Sequence, residues 1–117
     1  MSTTTILAAL LIVAFAALGA AKIIAVPAMR SRAEHVGFTV AAYRRIGALE
    51  ILGVVGVLVG VVVPAIGALA GTGLLLLLGG AVATHVRNGD GPKEIAPAVA
   101  LGAIALTYVV MIVGRLS

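Results

Sequence analysis

The sequence predicts an all-α fold: an integral membrane four-helix bundle, with a short interfacial helix between the first and second long helices. Three observations predict it. The 117-residue chain is 62% hydrophobic and 10% charged, with mean hydropathy +1.27, too few charged groups to cover a soluble domain. Its apolar residues fall into four runs, each near the ~20 residues that cross a bilayer as helix. No strand-like alternation accompanies them, and unpaired backbone in hydrocarbon is too costly for any other arrangement.

The runs extend from about Thr5 to Ala28, Ile46 to Val63, Ile66 to His85 and Ile95 to Val113. They account for the chain as a single membrane domain over residues 1–117, with no segment left for a soluble one. The first run has no positive leader and is longer than a signal-peptide core, so it reads as a retained span. Pro27 falls near its end. Ser31 and Glu34 have the spacing of a capping box, which predicts a short interfacial helix starting there and stopping at Gly37. Thr39 is the candidate N-cap of the second long helix, whose first turns, Val40 to Arg45, would lie at headgroup level. Pro64-Ala65 predicts a tight turn. Asn88-Gly89-Asp90-Gly91-Pro92 ends the third helix and starts the fourth.

The loops after the first and third spans carry Arg30, Arg32, Arg44, Arg45, Arg87 and Lys93, and the other side carries only Arg115. The positive-inside rule then places both loops in the cytoplasm and both termini outside an inner membrane. The net charge of +4 does not indicate nucleic acid, because the basic residues sit between apolar runs and not on a polar, aromatic-bearing face. The absence of cysteine excludes disulfides and thiol chemistry within the chain. With two histidines it also leaves a poor metal-ligand set, and no metal is expected.

Glu50 stands alone in an apolar run. It lies about five residues past the arginine-marked interface, roughly 7 Å into the membrane. Lys22 lies about six residues before Ala28, at roughly 9 Å by the same rise. The two charges are expected to pair at one depth across antiparallel neighbours, since either alone costs about 2.5–3.5 kcal/mol in hydrocarbon. Ile46, Gly53, Val57, Gly60 and Pro64 share the stripe beside Glu50, and Gly56 and Gly60 form a GxxxG pair on its flank, which favours close helix contact. The pair is either a staple that fixes helix register or the wall of a polar pocket. His85 and Arg87 close the third span on the same side, and Arg45 precedes Glu50, so Lys22, Glu50, His85, Arg87 and Arg45 form the candidate binding set. A structural role is the commoner one for a histidine such as His85, and more so for His35. Tyr108 reads as a packing or interface residue.

Gly19-Ala20-Ala21-Lys22, Gly37-Phe38, Arg45-Ile46-Gly47-Ala48-Leu49-Glu50 with Gly53, and His85-Val86-Arg87-Asn88-Gly89-Asp90 resemble, in order and spacing, the DoxX-like family of small bacterial membrane proteins. The resemblance covers nearly the whole chain and implies a four-helix membrane bundle. It also implies a link to redox complexes, since relatives serve as a subunit of a thiosulfate–quinone oxidoreductase. The small multidrug transporters share the length and span count, but their coupling glutamate in the first helix has no counterpart between Thr5 and Ala21.

Three functions are therefore weighed. The first is a non-catalytic module that binds a membrane lipid, another apolar small molecule or a partner protein at the inner-leaflet polar cluster. The second is a quinone-linked subunit working with a redox partner protein, in which Glu50 and His85 exchange protons with the quinone. The third is a proton-coupled transporter. It is the least favoured, because a switching acid must release its proton near neutral pH and a neighbouring ammonium holds a carboxylate ionised. The GxxxG face also suggests a homodimer.

Overall fold

The computed structural model describes residues 2–116. They form five α-helices in the order α1 (Thr3–Ile24), α2 (Pro27–His35), α3 (Val40–Val59), α4 (Pro64–Arg87) and α5 (Pro92–Val113), followed by a 3₁₀ turn at Gly114–Leu116. No strand occurs among the described residues. Three of the helical stretches, Thr3–Ile24, Pro64–Arg87 and Pro92–Leu116, are long and apolar enough to cross a membrane. α3 is as apolar at its far end, but Arg44, Arg45 and Glu50 fall within its 20 residues.

α1 packs on α3, α3 on α4, α4 on α5, and α5 returns to α1, while α2 rests on the start of α3. Leu11, Phe15, Val57, Leu74, Ala105, Tyr108 and Ile112 fill the space between the long helices. Leu52, Leu69, Leu76 and Val110 point outward and stay exposed, as expected where the surrounding solvent is hydrocarbon. The long axis measures 43 Å, close to the ~40–45 Å of a bilayer with its headgroups.

The helix ends correct the sequence reading in three places. α1 stops at Ile24 and not near Ala28, because Ala25 adopts a left-handed conformation, φ 59°. Its neighbour Val26 then donates to the Ala21 carbonyl at 3.2 Å, the closing bond of a Schellman turn. A left-handed alanine costs about 1–2 kcal/mol, and the Arg30 Nε bond to the Ala25 carbonyl, 2.9 Å, helps hold it. α2 begins at Pro27, in the first-turn position that proline suits; Ser31 lies inside it, so Ser31–Glu34 is no capping box. Pro64 opens α4 and the turn before it runs through residues 60–63. Elsewhere the signals hold. Gly37 (φ 78°) ends α2, Gly89 (φ 73°) follows α4, and the Thr39 hydroxyl accepts from the Ala42 N–H at 3.0 Å.

Two glycine contacts set the helix crossings. At α1–α3, a Cβ on Gly47 would stand 2.7 Å from the Gly19 carbonyl oxygen. At α3–α4, a Cβ on Gly60 would stand 2.5 Å from the Gly67 Cα, and one on Gly56 2.5 Å from the Ala70 Cβ. The GxxxG pair is thus used within the chain, against α4.

Candidate functional site: a buried ion pair and a histidine–aspartate clamp

Lys22 Nζ donates to Glu50 Oε1 at 2.7 Å. The Glu50 residue is 4% exposed and the Lys22 side chain 11%. Their Cα atoms do not lie at one depth, because α1 ends earlier than the sequence reading placed it and Lys22 sits in its last turn. Gly19 and Gly47 mark the crossing of two antiparallel helices, and Lys22 and Glu50 each follow their glycine by three residues. The Cα positions therefore diverge by about 9 Å along the axis at 1.5 Å per residue. Side chains on a helix lean toward its N-terminus, so these two lean toward each other and meet at the crossing. Gly47 also leaves room for the lysine stem, since a Cβ there would come 2.8 Å from the Lys22 Cβ. Tyr43, two turns before Glu50 on α3, places its ring 5.5 Å from the Lys22 ammonium, within range of a cation–π contact. Phe38 meets that ring edge-on at 6.2 Å between centroids. Beside the pair lies a shallow surface dent lined by Lys22, Ala25, Met29, Arg30, Val40 and Tyr43.

His85 does not join this cluster. Its Nδ1 lies 2.6 Å from Asp90 Oδ2, and His35 Nε2 lies 2.9 Å from Asp90 Oδ1. The Asn88 amide donates to Oδ1 at 3.1 Å. The local chain explains the arrangement. Gly89 takes the left-handed conformation and Asp90 N–H returns to the His85 carbonyl at 2.9 Å, which folds the aspartate back over the end of α4. With neutral rings, His85 Nδ1 and His35 Nε2 must both carry hydrogen to donate. His35 is the last residue of α2, so the clamp ties that end to the α4–α5 loop. Sequence reasoning missed Asp90 and Tyr43. The HxRxGD run held the aspartate in plain view, but a partner in α2 leaves no local signal. Arg45 and Arg87 are exposed and form no hydrogen bond or ion pair among the described residues.

The hydrogen bond from His85 holds the Asp90 carboxyl below its usual range; partial desolvation opposes this, and His35 and Asn88 add to the lowering. A carboxyl with a depressed folded-state pKa stabilises the fold above its unfolded value of about 3.9, and that contribution is lost as pH falls through the folded value. The stability difference between wild type and Asp90→Asn is therefore expected to shrink in acid below about pH 4. Detergent unfolding across a pH series below that value checks this. A difference that grows over that range contradicts it.

The class follows from these features. An all-α chain has apolar helices of membrane-spanning length, one charge pair sealed inside and most of its other charges gathered at one end: this is a small membrane protein. It belongs to the DoxX-like family, whose model matches residues 6–108. No match was found among the curated proteins or among the solved structures.

Proposed function

We propose that the chain is a non-catalytic four-helix module of a bacterial inner membrane, in which α3 is the fourth span and the loops after the first and third spans face the cytoplasm. In this reading the polar end binds an anionic lipid headgroup or the acidic surface of a partner protein. One contrast carries the proposal: the pair inside is closed while the basic end is open. Lys22 and Glu50 meet at 2.7 Å, which ties one carboxylate oxygen to an ammonium that holds the group ionised. Arg30 stands at the rim of the neighbouring recess, and Arg32, Arg44, Arg45, Arg87 and Lys93 are exposed. Basic groups near a cytoplasmic leaflet gain about 1 kcal/mol each from its anionic lipids.

The quinone-linked and proton-coupled readings rank lower. Both need Glu50 to exchange protons, and the quinone reading also needs His85 beside it, whereas His85 is engaged with Asp90. A two-fold dimer would have to use faces other than Gly56 and Gly60, which already pack on α4.

The test uses nanodiscs of mixed phosphatidylglycerol and phosphatidylcholine, with retained lipid read by native mass spectrometry. Wild type is expected to enrich phosphatidylglycerol, and Arg30→Gln to lose the share held at the polar end. Equal retention of both lipids by wild type refutes the lipid form of the proposal. Because the chain has no cysteine, single cysteines at Ser31 and Ser2 report topology cleanly; labelling of Ser31→Cys from outside intact cells overturns the orientation.

A further inference from the structure

At the opposite end, Tyr108 is 1% exposed, and its hydroxyl makes no hydrogen bond among the described residues. No fully enclosed side-chain oxygen lacks a partner among them, so this hydroxyl must reach open surface. It does so in a small recess, about 30 Å³ and open to the outside, between the first turn of α1, the end of α3 and α5. Thr4, 5% exposed and likewise without a hydrogen-bond partner among the described residues, lines the same recess. Arg115 stands at its edge, close enough to act electrostatically on the phenol. One guanidinium nitrogen reaches the Ser2 hydroxyl at 3.4 Å, which ties the arginine over the start of α1 and leaves its other donors available. All four acidic residues of the chain, Glu34, Glu50, Asp90 and Glu94, lie away from this recess.

A cation with two unpartnered hydroxyls calls for an anionic, oxygen-rich group, and a guanidinium matches phosphate oxygens in particular. The walls beside these groups are apolar, with Val61 and Ile112 among them, and Val61 continues onto the exposed apolar flank of the helices. We propose that the recess holds the phosphate of a membrane phospholipid, in the leaflet at the end of the two termini, with its acyl chains along that flank. This site is separate from the one at Arg30.

The test is done in the Arg30→Gln background, so that a lipid at the other end does not enter the count. Native mass spectrometry from nanodiscs then reads retained phosphatidylglycerol. Tyr108→Phe, which keeps the ring in the core, and Arg115→Gln are each expected to lower retention by roughly ten- to a hundredfold, the scale of one hydrogen bond to a charged group. Diacylglycerol, which lacks phosphate, is expected not to be retained, and inorganic phosphate alone to bind far more weakly than the lipid. Unchanged retention in both variants overturns the site. Equal retention of diacylglycerol overturns the phosphate assignment, and equal binding of free phosphate overturns the lipid.

Discussion

Lys22→Met, made alone, is expected to cost about 3–5 kcal/mol of stability, the scale seen when one partner of a buried ion pair is removed. Glu50 is 4% exposed and lies in the middle of α3, so a carboxylate left there is poorly solvated. It must stay charged and unpaired or take up a proton, and both are unfavourable. Glu50→Gln is expected to cost less, about 1–3 kcal/mol. Lys22 is in the last turn of α1, and a lysine near a helix end can turn its ammonium out to the headgroups. This asymmetry is particular to the geometry, because it follows from where α1 stops. The double variant Lys22→Met/Glu50→Gln removes both charges and is expected to recover most of the larger loss. Reversible unfolding in mixed detergent micelles gives the four stabilities of the cycle. Equal losses in the two single variants would contradict the placement of the pair, and additive losses in the double variant would contradict the pairing itself.

The second large effect is expected at Gly47. A methyl group there would stand 2.7 Å from the Gly19 carbonyl oxygen and 2.8 Å from the Lys22 Cβ. The carbonyl belongs to a helix and cannot rotate away, so α1 and α3 must separate. Gly47→Ala is expected to cost roughly 1–3 kcal/mol as an overpacking change and to weaken the coupling between Lys22 and Glu50 as well. Gly73→Ala is the control. A Cβ at Gly73 meets nothing within 4 Å, so alanine in mid-helix is expected to be neutral or to stabilise by about 0.5–1 kcal/mol. If both substitutions behave alike, backbone propensity and not helix approach governs Gly47.

Much of this was legible in the sequence because lipid simplifies the problem. Long apolar runs in hydrocarbon have to be helical, and the Pro, Gly and Thr signals at Gly37, Thr39 and Asn88–Pro92 mark ends that the structure also has. The end of α1 was not legible. A left-handed cap is normally read from glycine or asparagine, and here an alanine takes it, so the apolar run through Val26 looked like continuing helix. That displaced the start of α2 and the depth assigned to Lys22. The pair itself was still readable, because a lone acid and a lone base in neighbouring apolar runs have few other places to go. Its cause is not a shared depth but two side chains that lean toward one crossing. The second cluster was mis-assigned for a tertiary reason. His85 was grouped with Glu50 by side of the membrane, whereas the turn at Gly89 delivers Asp90 to it within five residues, and only the fold brings His35 to the same carboxylate. The glycines at Gly56 and Gly60 were correctly read as a contact face, but sequence carries no mark of whether α4 or a second chain supplies the other side.

The direct measurement is a magnetic dipolar distance between the Lys22 ammonium nitrogen and the Glu50 carboxyl carbon, by solid-state NMR in lipid bilayers. Lys93→Arg leaves Lys22 as the only lysine, so its nitrogen signal is unambiguous. A strong coupling is expected, matching a nitrogen–oxygen contact of 2.7 Å, that disappears in Glu50→Gln and weakens in Gly47→Ala. A lysine signal with no carboxyl coupling in the wild-type bilayer sample would contradict it.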